Sequence, residues 1–320
     1  MLVAKTEYIA VQEYPALAVD AVASQMGVPP WKNEESAPYS FLAHALASVA
    51  TTRSRIAILN ILTNTLRAII LFHPQSLLPS LYLLSNSLAP PYIGSELGLG
   101  MASISKAIQT VSGLTPTALK QLYNKTGDPG DVAFEAKSNV RTLVPHPSLT
   151  IVGVYESLTK ICNSKGDGAS KRKQAIVERL LVAARGEEIR YLVRTLCQHI
   201  RVGAVRTSIL TALARAMVLS RPKGIGNTIP PDDSPYFASP ELLKRVENGL
   251  TQPASKGKRK ANDDDASVRS LVIQKFSEAE RLLKKVYVQH PNYDAIVYAL
   301  LGHGMEDLST RITLTVGTYY

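Results

Sequence analysis

The chain has 320 residues, 45% of them hydrophobic, which is enough to bury a sizeable core and too apolar for a disordered tail. Lys and Arg outnumber Asp and Glu by 36 to 26, a formal charge of +10 that suits a polyanionic partner without specifying one. The two cysteines, Cys162 and Cys197, lie in apolar helical patterns. No Cys/His cluster has metal-ligand spacing, so no metal site is expected. The longest apolar run, Ala68 to Phe72, is far too short to cross a bilayer, and the opening MLVAKTEYIAVQEYP has no secretory pattern. A reducing compartment, cytosol or nucleus, is expected.

Helical periodicity dominates from there on. Pro38-Tyr39 precedes a first helix. Ile56, Leu59, Leu62, Leu66 and Ile69/Ile70 recur three and four apart, the stripe of a long helix beginning near Thr52 and ended by Pro74. Ile104, Ala107, Ile108 and Val111 mark another, with Gly113 as its C-terminal cap, and Thr115-Pro116 reads as the N-cap and first residue of the next. Val154, Leu158 and Ile161 mark a helix after Pro147. Lys171 to Ala184 and Glu187 to Cys197 follow, parted by Gly186, and Ile209, Leu210, Leu213, Ala214 and Met217 mark one more. Lys223 to Pro240 reads as a loop, and 251–266, a basic run followed by an acidic one, as a mobile low-complexity insertion. Helical pattern resumes from Ser267 to about His290, and a last short helix starts after Asn292. Strand-like alternation is hardly visible and no fixed-period repeat exists, so an all-α domain of about ten to twelve short helices is predicted, not a solenoid.

Three places share one design, a glycine-containing turn followed by a helix. They are Glu96 to Lys106, with Gly98 and Gly100; Ser164 to Lys173, with Ser170, Lys171, Arg172 and Lys173; and Arg201-Val202-Gly203-Ala204-Val205-Arg206-Thr207-Ser208-Ile209-Leu210. Such a turn lets the N–H groups of a helix start approach a phosphate. Glycine keeps side chains out of the way, hydroxyls add bonds and Lys or Arg adds charge. Any one of these is also an ordinary helix cap. Cations at a helix start nevertheless oppose the macrodipole, a conflict that a bound anion resolves. Arg53 and Arg55 at the start of the long helix are either a solvated face or another phosphate clamp. Contacts of this kind hold backbone and carry no base code.

Taken in order, several segments resemble the DNA-binding domain of eukaryotic ATP-dependent DNA ligases. They are Pro38-Tyr39, Leu81 to Tyr92 (LYLLSNSLAPPY), Glu96 to Gly100 with Lys106 to Ile108, Gly127 to Val132 (GDPGDV), Arg190 to Leu196 (RYLVRTL), and Arg201-Val202-Gly203 through Leu213. The resemblance runs over 31–308, with 1–30 as an N-terminal extension. It implies one all-helical, pseudo-twofold domain lying on the minor groove of nicked duplex DNA, monomeric and nuclear. Arg201 to Leu210 is implied as the principal contact segment, Arg53 and Arg55 as a second, and Ser170, Lys171 and Lys173 as a third. Gly302 to Leu308 resembles the segment closing this domain. Leu314 to Thr318 resembles the lead-in to a catalytic domain, which 309–320 would begin without completing.

Ligases of this type form a lysyl-adenylate at Lys-x-Asp-Gly, and Lys165-Gly166-Asp167-Gly168 has that spacing. The family motif is entered from a strand, has Glu two residues before the lysine and Arg two after the last glycine. Here Asn163 and Ser170 stand in those places, so no catalytic residue is expected, and ATP and Mg2+ are expected only for a full-length ligase. Two other readings stay open: a fragment of a complete nick-sealing enzyme, and a helical protein-interaction scaffold with an incidental basic surface. Lys256 to Lys260 reads equally as a nuclear localisation signal or as solvated charge.

Overall fold

The computed structural model describes residues 14, 17, 19–23, 25–32, 36–138, 146–201, 206–222, 234–251 and 263–316. The expected insertion core at 252–262, including Lys256 to Lys260, and most of the 223–240 loop lie outside the described residues. Among the described residues there are fourteen α-helices and no strand, with one isolated bridge between Pro38 and Thr150. The helices are α1 Tyr39–Ala50, α2 Arg55–Phe72, α3 Leu77–Leu84, α4 Met101–Ser112, α5 Pro116–Thr126, α6 Pro129–Ser138 and α7 Ile151–Asn163. They continue with α8 Ala169–Ala183, α9 Glu187–Leu196, α10 Arg206–Leu219, α11 Pro240–Thr251, α12 Asp263–Gln289, α13 Tyr293–His303 and α14 Leu308–Val316. The all-α class matches the sequence reading, and the count exceeds it. Two of the additional helices, α6 and α11, open on a proline inside a stretch rich in turn residues. Proline is tolerated at a first helical position, where its missing N–H has no partner to lose, so such starts resemble loops in sequence.

The helix ends obey local chemistry. Ser54 accepts from the Ala57 N–H, Thr115 from Ala118, Thr150 from Gly153, and Asn292 from Asp294 and Ala295. Ser54, not Thr52, therefore starts the long helix. Gly113 and Gly127 close α4 and α5 in the left-handed region.

Two helical groups share one core. In the first, α9 packs along α6 and α1, and α4 packs along α8 and α6. In the second, α10 packs along α2 on one side and α12 on the other. Helix α1 touches both α9 and α2 and joins the groups. Helix α2 is long and apolar enough by composition to cross a membrane, but most of it is buried against α1 and α10. It also carries the buried Arg67, which donates to Ala21 O at 2.7 Å and Ser220 Oγ at 3.1 Å. It is a core helix. The described part of the first thirty residues packs onto the same body: Asn64 Nδ2 donates to Val19 O, Arg269 pairs with Asp20, and Gln25 bonds Glu247.

The first helical group contains a buried titratable joint. Lys137 on α6 donates to the carbonyls of Leu181, Val182 and Ala184 at the end of α8, serving as that helix's C-terminal cap. Burial pushes this ammonium down to about 8. Beside it Glu188 accepts from the Arg185 N–H at 2.9 Å, and burial pushes its carboxyl up to about 7 from an ordinary 4.5. The folded chain therefore holds this proton more tightly than the unfolded chain. Stability from this group is present at low pH and is lost as pH rises from about 4.5 to about 7. Glu188→Gln, which fixes the uncharged form, will flatten that part of a melting-temperature curve against pH. At pH 8 it will gain on the order of 2 kcal/mol over the parent.

Candidate nucleic-acid interface

The two motifs Gly127 to Val132 and Arg190 to Leu196 meet where α6 crosses α9. Asp128 caps α6, its Oδ1 accepting from the Asp131 N–H at 2.9 Å. Gly130 allows the two backbones to approach: a Cβ there would lie 2.6 Å from Arg190 O and 2.8 Å from Arg194 Cγ. Arg190 and Arg194 are one helical turn apart and so share a face. Arg190 Nε donates to Asp131 Oδ1 at 2.7 Å, and its guanidinium also pairs with Glu187. Arg194 donates from Nε to Asp128 Oδ1 at 3.0 Å and from Nη2 to Asp131 Oδ1 at 3.2 Å. Asp128 is 3% exposed. Its other oxygen, Oδ2, lies 3.2 Å from Nε of Arg201, an ion-pair distance without hydrogen-bond alignment, and the Arg201 side chain is 54% exposed. Arg201 itself stands at φ +53, a conformation uncommon for a residue with a Cβ.

The other two turns converge on the same region. Gly98 is at φ +56, and Nζ of Lys173, from the first turn of α8, donates to Leu97 O at 2.7 Å. Arg172 folds back and donates to Asp167 O at 2.7 Å and Lys165 O at 2.8 Å, clasping the turn that enters α8. Neither α4 nor α8 has a side-chain N-cap; glycines, Gly100 and Gly168, occupy both positions. Met101, the first residue of α4, places Sδ 3.6 Å from Sγ of Cys197, four residues before Arg201. The starts of α4 and α8 and the exit from α9 are thus neighbours.

The second helical group carries its own arginines at one end. The bond from Arg67 near the end of α2 to Ser220 just past α10 puts the C-terminal ends of those two helices together. The pair packs extensively side by side, so α2 and α10 run parallel, with Arg55 and Arg206 at their common N-terminal end. Helix α12 runs the opposite way: Arg215 pairs with Glu280 at 2.8 Å, and the Arg206 guanidinium lies 6.0 Å over the Tyr287 ring. Arg201 and Arg206 are five residues apart, within about 18 Å of each other along any chain path.

Arg53, Arg55, Gly98, Gly100, Lys106, Ser170, Lys171, Arg201, Arg206 and Thr207 are exposed, and Ser208 is half-buried. Two expectations change. Ile209 and Leu210 are buried in α10, because that helix must offer its apolar face to α2 and α12, and their side chains are core. Lys173 is half-buried and bonded to Leu97 O, so it fixes the Gly98 turn. Val202, Gly203, Ala204 and Val205 lie outside the described residues. Lys165 sits in the turn joining α7 to α8. Asp128, Asp131, Arg194 and Tyr287, which hold the two arginines flanking 202–205, are not identifiable as site residues from sequence. The first three lie in the GDPGDV and RYLVRTL motifs, but nothing in the chain order shows that those motifs meet at Arg201.

Fold and site together define an all-α domain of two helical groups, with glycine turns and exposed arginines at its helix starts. The chain belongs to the family described as DNA ligase N terminus, whose model matches residues 38–214, from the bridge at Pro38 to the middle of α10. It is similar to DNA ligase 3 of Schizosaccharomyces pombe, 35% identical over 286 residues, covering 89% of this chain and 32% of that protein. DNA ligase 6 of Arabidopsis thaliana is 34% identical over 190 residues, covering 59% of this chain and 14% of that protein. DNA ligase 1 of Dictyostelium discoideum is 29% identical over 290 residues, covering 90% and 22%. The chain thus spans about a third or less of the length of these relatives.

Proposed function

We propose that this chain binds nicked duplex DNA through the phosphate backbone, without reading bases, as the DNA-binding domain of an ATP-dependent DNA ligase in replication, repair and recombination. The observation that carries the reading is that two helix starts without side-chain caps lie beside the exit from α9 toward Arg201, while Arg55 and Arg206 stand together at the N-terminal end of the α2–α10 pair. N–H groups at helix starts and guanidinium groups both suit phosphate oxygens. The ligase's catalytic domains are the second partner, and ATP and Mg2+ belong to them. The domain acts as a monomer in the nucleus. Lys165 serves the phosphate-facing turn before α8 and takes no nucleotide.

Titration of a labelled nicked duplex at low salt tests this. Arg201→Ala and Arg206→Ala are each expected to weaken binding about tenfold, since a charge-assisted hydrogen bond contributes on the order of 1.5 kcal/mol or more. The factor should be the same on two unrelated sequences. A loss confined to one sequence contradicts backbone recognition. No binding by the parent chain favours a helical protein-interaction scaffold.

A further inference from the structure

The charges around Asp128 are unevenly matched until Arg201 is included. Asp128, Asp131 and Glu187 face Arg190 and Arg194, three carboxylates against two guanidiniums, and Arg201 is the third cation. Five of these six side chains are largely buried or partly so, and Arg201 is the most exposed of them. Asp128 Oδ1 is already used by the Asp131 N–H and by Arg194, whereas Oδ2 accepts no hydrogen bond among the described residues and has Arg201 as its ion-pair partner. The approach is from the Nε side of the guanidinium. The contact is an ion pair without hydrogen-bond alignment, so it draws the guanidinium toward Asp128 by charge on its Nε side and leaves both terminal nitrogens for another anion. The backbone of Arg201 stands at φ +53, uncommon for a residue with a Cβ, and its side chain reaches Asp128 from that conformation.

We infer that Asp128 is a positioning residue for DNA binding: its carboxylate holds Arg201 by Nε so that the two terminal nitrogens meet a backbone phosphate together. This rests on the phosphate-binding reading of Arg201. A purely electrostatic account gives the opposite sign, because removing a buried negative charge beside a basic surface strengthens attraction to DNA. Asp128 touches no phosphate and acts only through Arg201.

The test is a double-mutant cycle on duplex affinity with Asp128→Asn, Arg201→Ala and both together. Asp128→Asn keeps an acceptor for the Asp131 N–H and is expected to weaken binding about tenfold in the Arg201 chain, and not at all in the Arg201→Ala chain. Unchanged or tighter binding by Asp128→Asn, or an equal loss in both backgrounds, overturns the positioning role. Arg201→Lys, an exposed change that leaves the buried cluster intact, decides the matter even if Asp128→Asn does not fold. A lysine carries the same charge but as a single point without the planar fork, so it should restore only part of the binding lost in Arg201→Ala. Parent-like binding by Arg201→Lys overturns the inference while leaving phosphate binding standing. Parent-like binding by Arg201→Ala removes both.

Discussion

Raising monovalent salt from about 50 to about 200 mM will weaken duplex binding about 1000-fold. Arg53, Arg55, Lys106, Lys171, Arg201 and Arg206 are all exposed, and under the proposed function they would make about six phosphate contacts. Each neutralised phosphate releases condensed counterions, contributing about −0.9 to the slope of log affinity against log salt, so a slope near −5 is expected. The same experiment resolves which elements take part. Losing the paired arginines at the start of α2, as in Arg53→Ala with Arg55→Ala, should bring the slope down by about 2. A slope near zero in the parent chain would mean that binding, if seen, does not run through these cations, and the scaffold reading would take its place. Cations on scattered faces cannot lie along one duplex. The slope therefore also reports whether the ends of α2 and α10 and the starts of α4 and α8 form one continuous face.

Arg194→Ala will be the most damaging single change in the first helical group, costing about 3–5 kcal/mol of folding stability. Arg194 is buried and binds both Asp128 and Asp131. Its removal leaves Asp128, 3% exposed, with a desolvated charge and only the half-exposed Arg201 as counter-ion. A missing partner for a buried carboxylate costs far more than the net value of the intact pair, since the charge can neither be resolvated nor shed without cost. For a domain of this size the melting temperature should fall by about 5–8 °C. Arg201→Ala removes a largely exposed cation from the same carboxylate and should cost well under half as much. Urea denaturation of the two variants side by side measures the difference. Equal stabilities would mean that Asp128 finds another partner and that the α6–α9 joint is held by packing alone.

How much of this can be read from sequence depends on the range of the interaction. The caps at Thr115 and Asn292 and the left-handed Gly113 involve residues within three or four positions, and their side chains leave a direct signature. The buried stripe of α2 is equally plain, because a helix turned to one apolar partner repeats its large residues every three or four. Helices α6 and α11 escape that reading because each begins at a proline among turn residues. Ile209 and Leu210 show the opposite error. They follow a basic glycine turn closely enough to be counted with it, yet α10 has α2 and α12 on two sides and turns both residues inward. Lys173 looks like a free cation until α8 is laid against α4, which brings Leu97 O to its ammonium.

By itself the sequence determines the helical class, most helix boundaries, the surplus of cations and the turns where a phosphate could approach a helix start. These follow from covalent neighbours and from the period of the apolar residues, which act within a few positions of the chain. Only the tertiary structure decides that the Gly98 turn, the start of α8 and the exit from α9 toward Arg201 are neighbours, that Arg55 and Arg206 share one end of a helix pair, and that Asp128 pairs with Arg201. Those relations span from about 60 to 150 residues of chain and are set by which helix faces pack together. Burial then fixes their strength, because removing water makes a carboxylate such as Asp128 dependent on the few cations within reach.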